Sequence, residues 1–112
     1  MSISHRDVGG LRIIMLAGRM DVAGWDSVSD QLVELTQAQS RIVLDLSALP
    51  MLASIGIRAI SVSAKDVAAR GGKMALVVDS ASTVMTTLKL TGLDQLVPIF
   101  RRARDAESAV GA

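Results

Sequence analysis

The spacing of apolar residues along the chain predicts its secondary structure, beginning with a β-hairpin. Residues 3–8 (ISHRDV) and 11–18 (LRIIMLAG) are extended segments separated by Gly9 and Gly10. Two glycines between strand-like segments are typical of a tight hairpin turn. We therefore expect the chain to open with two antiparallel strands.

Three further segments have the composition of strands. Residues 41–46 (RIVLDL) and 73–78 (KMALVV) are almost continuously aliphatic, as in strands that are covered on both faces. Residues 95–100 (QLVPIF) form a shorter run that contains Pro98. Because proline cannot donate a hydrogen bond to a neighbouring strand, we expect this last strand at an edge of the sheet.

Between these strands, apolar residues recur every three or four positions, which predicts amphipathic helices. The first helix covers residues 22–39, the second residues 55–70 before Gly71 and Gly72, and the third ends at Gly92. Their inward faces are expected to contain Trp25, Val28, Leu32 and Leu35 in the first helix, Ile57, Ile60, Ala64, Val67 and Ala68 in the second, and Val84, Met85 and Leu88 in the third.

Residues with side-chain oxygens stand at the predicted helix starts, where they can accept hydrogen bonds from the free amides of the first turn. These expected N-caps are Asp21, Ser54, Ser80 and Asp105, the last before a final short helix. The element order is therefore β-β-α-β-α-β-α-β-α. It predicts an α/β fold with a mixed four- to five-stranded sheet and helices packed on it, in one domain over residues 1–112.

Composition and charge exclude several classes of function. The chain has no cysteine, which removes disulfides and thiolate chemistry. Its net charge is +1, and its basic residues are scattered except at 100–104 (FRRAR), so we expect no direct binding of nucleic acid. The polar N-terminus lacks the apolar region of a signal peptide, and no apolar run approaches the ~20 residues that span a bilayer. We expect a cytoplasmic protein without membrane contact.

Motifs for catalysis are missing as well. The sequence has no P-loop, no dinucleotide-binding glycine motif and no paired histidines, and His5 lies alone in a polar segment. Asp21, Asp45 and Asp79 follow predicted strands, where side chains can converge on a crevice. A small enzyme or nucleotide-binding protein built on these aspartates is one hypothesis. Without a second ligand type or a nucleophile, however, we expect no catalytic residue, no metal and no cofactor.

Ser54 stands at the junction between a loop and the second predicted helix. As an N-cap it would stabilise that helix by about 1 kcal/mol. The same position suits a phosphate, because a helix N-terminus offers unpaired amides and the positive end of the helix dipole. Arg58, one turn further on, would lie near enough to contribute. The residues alone favour the cap, and one serine can serve both purposes.

Apolar residues surround Ser54 in the sequence. Met51, Leu52 and Ile55 lie in the loop or the first helical turn, and Met20 lies in another loop at the same predicted end of the sheet. These side chains either fold under and join the core, or form an exposed methionine-containing patch that binds a protein. The sequence leaves both alternatives open.

Four segments occur in the order and spacing of a known family. They are AGRMD at 17–21, RIVLDLSAL at 41–49, GGKMALVV at 71–78 and LKLTGLDQLVPIF at 88–100. Together they resemble the STAS domain of bacterial anti-sigma factor antagonists and of the cytoplasmic parts of sulfate transporters. The resemblance covers nearly the whole chain and implies a STAS-like fold.

The antagonists carry Asp, Ser, Ser or Thr, Gly and Leu at the loop-to-helix junction, and the first serine is phosphorylated by the partner anti-sigma factor, an ATP-dependent serine kinase. The resemblance implies that Ser54 is this serine, that Gly56 is the signature glycine and that Asp21 lies beside the partner surface. Two positions depart from the pattern: Ala53 replaces the aspartate, and Ile55 replaces the second hydroxyl residue. Both changes make the surroundings of Ser54 more apolar.

The resemblance implies a phosphoprotein of a partner-switching system that regulates transcription. Unmodified, it would bind a kinase-type anti-sigma factor and free a sigma factor; phosphorylated at Ser54, it would let go. The alternative is a constitutive STAS adaptor, such as the small subunit bound to the ATPase of a phospholipid-trafficking ABC transporter. We expect a monomer or weak dimer with a binding surface made of Met20, Asp21, Met51, Leu52, Ala53, Ser54, Ile55, Gly56 and Arg58.

Overall fold

The computed structural model describes residues 1–111, in which an initial hairpin is followed by strands that alternate with one or two helices. The strands are β1 (Ser2–Val8), β2 (Leu11–Ala17), β3 (Arg41–Ala48), β4 (Lys73–Val77) and β5 (Ile99–Phe100). The helices are α1 (Val22–Gln37), α2 (Ser54–Ala69), α3 (Thr83–Thr91), α4 (Leu93–Leu96) and α5 (Ala103–Gly111).

The five strands form one mixed sheet in the order β1-β2-β3-β4-β5. β1 is antiparallel to β2, and the other neighbours are parallel. Gly9 and Gly10 make the hairpin turn with φ values of 54° and 86°, a backbone conformation that favours glycine. The expected α/β fold with a mixed sheet is confirmed.

Helices cover both faces of the sheet, which explains why the central strands are aliphatic throughout. Ile42, Leu44 and Leu46 of β3 pack into a large core under α1 to α4. Val43, between them, packs into a smaller core under α5. Successive side chains of a strand point to opposite faces, so each face receives its own apolar set. No helix within residues 1–111 is long and apolar enough to cross a membrane.

The last strand is shorter than the sequence suggests. Residues 95–100 are expected to be extended, but only Ile99 and Phe100 are paired, at the expected edge of the sheet next to β4. The preceding residues form α4, because Leu93 and Val97, four positions apart, both enter the core. That spacing fits a helical turn and not the alternation of a strand.

The caps expected for α3 and α5 are wrong. Ser82 and not Ser80 caps α3, since the Met85 amide donates to the Ser82 hydroxyl oxygen at 3.3 Å. Ser80 instead lies in a turn in which the Asp79 carboxylate accepts from the Ala81 amide at 3.1 Å. Asp105 is also not a cap, because α5 begins two residues earlier and includes it in the first turn.

Candidate functional site

The candidate site lies at the edge of the sheet where the parallel strands end. β2, β3 and β4 run in the same direction, so the segments that lead from them into α1, α2 and α3 lie side by side. Function in open α/β sheets is concentrated at this edge. Every residue that the sequence nominated for partner binding belongs to the first two of these junctions or to the first two turns of α2.

Asp21 starts the first of these helices, as expected. Its carboxylate oxygen Oδ1 accepts a hydrogen bond from the Gly24 amide at 2.7 Å, and its side chain is exposed. Gly24 also allows the helix to approach the preceding loop, because a Cβ there would lie 2.6 Å from the Arg19 carbonyl oxygen. The N-cap prediction for Asp21 is confirmed.

Buried side chains and hydrogen bonds hold the loop between β3 and α2 at both ends. Leu49 and Leu52 both enter the core. Between them, the Pro50 carbonyl oxygen accepts a hydrogen bond from the Thr83 hydroxyl at 2.8 Å, which ties the loop to the first residue of α3. The segment that precedes Ser54 is therefore anchored on a neighbouring junction as well as on the core.

The first turn of α2 lies against Met20. A Cβ atom at Gly56 would be 2.5 Å from the Met20 sulfur and 3.1 Å from Leu52 Cδ1, so only glycine fits between them without movement. The Ala53 amide also points at the Met20 sulfur, 3.4 Å away. This packing joins the two junctions and fixes the position of the following helical turn.

Ser54 is not the N-cap of α2, which corrects the expectation from sequence. The cap is Ala53, whose carbonyl oxygen accepts from the amides of Gly56 and Ile57, both at 3.0 Å. Ser54 is the first helical residue and is exposed. Its hydroxyl makes no hydrogen bond within the described part of the chain. The helix therefore begins without side-chain help, and the hydroxyl is available to a partner.

The surface around Ser54 combines exposed apolar groups with basic ones. Met51 is 51% exposed and Ile55 is 40% exposed. On the other side, Ser54 lines an open depression of about 510 Å³ together with Arg58 and Lys65. None of these side chains takes part in an ion pair among residues 1–111. The site can thus receive an apolar surface on one flank and an anionic group on the other.

Sequence reasoning missed part of this depression. Ser61 and Lys65 line it, although neither was nominated. The signal was present in the spacing, because positions 54, 58, 61 and 65 follow one another at intervals of four, three and four along α2. Such intervals bring side chains to one helix face.

Of the apolar neighbours of Ser54, some join the core and others form the exposed patch. Met20 and Leu52 are buried in the core, as is the backbone at Gly56, while Ala53 is half-buried. Met51 and Ile55 remain at the surface. The nominated surface that is open to contact therefore consists of Asp21, Met51, Ser54, Ile55 and Arg58, with Ala53 partly exposed.

The aspartates considered for catalysis each serve local structure. Asp21 caps α1. The Asp45 carboxylate accepts from the Ser47 amide at 2.9 Å and from the Ser47 hydroxyl at 2.6 Å, and Asp79 closes the turn before α3. Within residues 1–111, no three His, Cys, Asp or Glu side chains are grouped so that they could hold a metal ion.

The chain has a clear family match. The family model of the STAS domain matches residues 2–106. No curated protein matches the chain significantly by sequence.

Several solved structures share its fold. An anti-sigma factor antagonist from Mycobacterium paratuberculosis is 22% identical with a TM-score of 0.88, and the match covers 99% of this chain and 94% of that one. An anti-sigma-factor antagonist (STAS) domain protein from Planctomyces limnophilus is 17% identical with a TM-score of 0.82, covering 98% of both chains. The anti-sigma factor antagonist SpoIIAA in its unphosphorylated form is 14% identical with a TM-score of 0.76, covering 99% of this chain and 98% of that one.

Proposed function

The chain belongs to the STAS domain family, and on this premise we propose that it is an anti-sigma factor antagonist regulated at Ser54. It binds an anti-sigma factor that is also an ATP-dependent serine kinase, through Asp21, Met51, Ser54, Ile55 and Arg58. Binding frees a sigma factor. Phosphorylation of Ser54 ends the complex.

One observation carries the proposal: Ser54 is exposed at the first position of α2, and its hydroxyl has no hydrogen-bond partner within residues 1–111. A serine that capped the helix would give up a structural hydrogen bond on modification, whereas Ser54 gives up none. Solved structures of the same fold are described as anti-sigma factor antagonists, one of them as an unphosphorylated form. These descriptions support the same role here.

The phosphoryl group comes from Mg-ATP bound to the partner kinase. The Ser54 oxygen attacks the γ-phosphorus of ATP, the bond to the β,γ-bridging oxygen breaks, and the hydroxyl proton is removed by the kinase. The products are phosphoserine and ADP. The new group carries roughly −1.5 to −2 charges and lies at the positive end of the α2 dipole, one turn from Arg58.

The phosphate charge is tolerated in the isolated domain but opposes partner binding. The isolated domain stabilises the dianion through the helix terminus and solvent. In a complex, the dianion would be desolvated beside Met51 and Ile55, which are exposed apolar side chains. A loss of about 3 kcal/mol at the interface would weaken binding more than a hundredfold.

The second candidate function is a constitutive STAS adaptor, such as one bound to a transporter ATPase. The observation that favours it is the surface beside Ser54: Ile55 is 40% exposed, and Ala53 provides no carboxylate. A surface of this kind suits a permanent apolar contact better than a kinase that recognises polar neighbours. Copurification with an ATPase subunit would support this function.

The test is intact-mass analysis after incubation with a kinase-type anti-sigma factor encoded beside the gene, and Mg-ATP. We expect one added phosphate, which is absent from Ser54→Ala and retained in Ser61→Ala. Ser61 is a matched control because it lies two turns further along the same face of α2. No added mass, with the kinase active on another substrate and still bound to the chain, would support the constitutive adaptor instead.

A further inference from the structure

A second apolar surface lies between α1 and α2, beside the Ser54 site. It is a groove of about 300 Å³ with Trp25 and Leu32 at its base and Ile55, Val33 and Val62 along its sides. Val33 and Val62 are 47% and 60% exposed. Nothing else within residues 1–111 covers these side chains. Contiguous apolar surface of this kind is typical of a protein interface.

Two rows of opposite charge border this groove. On α1, Asp26, Asp30 and Glu34 follow one another at intervals of four and form an exposed acidic row on the outer side of Val33. On α2, Arg58 and Lys65 are seven residues apart and form an exposed basic row on the outer side of Val62.

Both rows are available for pairing outside the chain. The ion pairs within residues 1–111 are Arg12 with Asp7 and Arg70 with Asp66, and neither uses a residue of the two rows. The acidic and basic rows stand on opposite sides of the groove and do not neutralise each other. A partner that satisfies them must therefore present a basic row opposite α1 and an acidic row opposite α2.

We propose that the α1–α2 face binds a second copy of this chain. The two helices run side by side in the same direction, because each returns the chain between two parallel strands. A two-fold axis parallel to them and over the groove brings α1 of one copy onto α2 of the other. The acidic row then meets the basic row twice, with Val33, Ile55 and Val62 in the centre.

The spacing along the helices supports this arrangement. With a rise of 1.5 Å per residue, Asp26 and Glu34 are about 12 Å apart along α1, and Arg58 and Lys65 are about 10.5 Å apart along α2. Because of the two-fold symmetry, a second copy presents its basic row to the acidic row of the first copy and its acidic row to the basic row of the first. Helices of 16 residues are only about 24 Å long, so the area falls below that of a standard stable interface and the dimer is weak.

The first test is sedimentation velocity of the purified chain, without any anti-sigma factor, at concentrations up to roughly the millimolar range of weak complexes. We expect a reversible dimer whose dissociation constant rises at least about tenfold in Val62→Glu, because the new carboxylate would be buried against apolar groups. Leu90→Glu is the matched control, since Leu90 is 83% exposed on α3 and its replacement is expected to have no effect. Circular dichroism verifies that both variants fold.

Charge reversal tests the orientation independently. We expect Asp26→Lys/Glu34→Lys and Arg58→Glu/Lys65→Glu each to be monomeric alone, and to form a heterodimer when mixed, because each then supplies the charges that the other lacks. A wild-type chain that stays monomeric throughout, an equal dissociation constant for Val62→Glu, or a mixture that fails to pair would each overturn the proposal. None of these outcomes involves phosphorylation, so they leave the function proposed for Ser54 untouched.

Discussion

At the level of single residues, the start of α2 explains why a serine can stand there without a structural task. The turn is closed by the Ala53 carbonyl, which accepts from the amides of Gly56 and Ile57. Ser82, at the start of α3, does cap a helix with its side chain. The two serines therefore form a natural comparison.

We expect Ser54→Ala to change the free energy of unfolding by less than about 0.5 kcal/mol, as for an exposed residue without partners. Ser82→Ala should cost about 1 kcal/mol through the lost cap. Urea unfolding of both variants measures the difference. An equal loss in the two variants would mean that the Ser54 hydroxyl has a structural role.

Gly56 is the residue on which the geometry of the site depends. Gly56→Ala inserts a methyl group 2.5 Å from the Met20 sulfur, so either Met20 or the first turn of α2 must move. We expect a net loss of about 1 kcal/mol in the free energy of unfolding, at the low end of the range for overpacking, because the end of the flexible Met20 side chain can shift and alanine is favoured over glycine in a helix. Ala69→Gly, in the last turn of α2, is the control, because it measures the cost of a glycine in this helix without any contact with Met20. Gly71→Ala is unsuitable, because the positive φ of Gly71 would strain an alanine. Stability unchanged by Gly56→Ala would contradict the packing.

The sequence predicted the structural role of Asp21 correctly but not that of Ser54. Ser54, Gly56 and Asp21 could be nominated because small and polar residues at helix starts are a local signal. The burial of Met20 could not, because it depends on contact with Gly56 and Leu52, more than thirty positions away. Local patterns do not report contacts of that separation.

At the level of elements, one side-chain hydrogen bond links two loops of the site. The Thr83 hydroxyl at the start of α3 donates to the Pro50 carbonyl in the β3–α2 loop. Thr83→Val removes the donor at nearly constant volume, and we expect a loss of about 0.5–1.5 kcal/mol. We also expect faster amide exchange in residues 51–53, while Thr86→Val, on the exposed side of α3, changes neither. Unchanged exchange would mean that Leu49 and Leu52 anchor the loop alone.

Arg12 links the β1–β2 hairpin to α1. Its side chain donates to the Asp7 carboxylate at 2.7 Å and to the Leu35 carbonyl at 3.2 Å. The hydrogen bond from Arg12, helped by its charge, holds the pKa of Asp7 below its ordinary value. A lowered carboxyl pKa contributes stability above the unfolded-state pKa, and this contribution is lost as the pH falls through the folded-state pKa.

We therefore expect Arg12→Gln to raise the pKa of Asp7 toward its ordinary value, as measured by NMR titration of the Asp7 carboxyl carbon. Arg6→Gln serves as the control. Arg6 precedes Asp7 on β1, but it lies opposite Ile13 of β2, and the ion pair of Asp7 is with Arg12. An Asp7 pKa that does not respond to Arg12→Gln would exclude this ion pair in solution.

The helices could be predicted better than their ends. Trp25, Val28 and Leu32 of α1 and Ile60, Ala64 and Val67 of α2 are buried as their spacing indicated, whereas Ala68 is exposed at the margin of the buried row. The N-cap of α3 is Ser82 and not the expected Ser80, because the Asp79 carboxylate forms a turn that competes with the helix. Side-chain competition of this kind decides helix ends and is not visible in periodicity.

At the level of the whole molecule, the order of elements was sufficient to predict an α/β fold, because alternating strands and helices have few arrangements. The relation between the two exposed surfaces was not predictable. Arg58 and Val62 line both the depression beside Ser54 and the α1–α2 groove, and Ile55 lines the groove next to Ser54 in the sequence. A chain paired through that groove therefore offers only part of its Ser54 surface, so the proposed dimer and the proposed complex with an anti-sigma factor compete.

A substitution at Met51 can distinguish the two surfaces, because Met51 is exposed near Ser54 but does not line the groove. We expect Met51→Ser to weaken binding to the anti-sigma factor by about tenfold or more, as for a methionine buried in an interface, and to leave self-association unchanged. Leu52→Ser, one residue further on, should instead lower the free energy of unfolding by about 2–5 kcal/mol because Leu52 is in the core. Calorimetric titration and urea unfolding measure the two effects. Val33 lines the groove and not the depression beside Ser54. If Met51→Ser left partner affinity unchanged while Val33→Glu abolished it, the partner would bind the α1–α2 face and not the Ser54 surface.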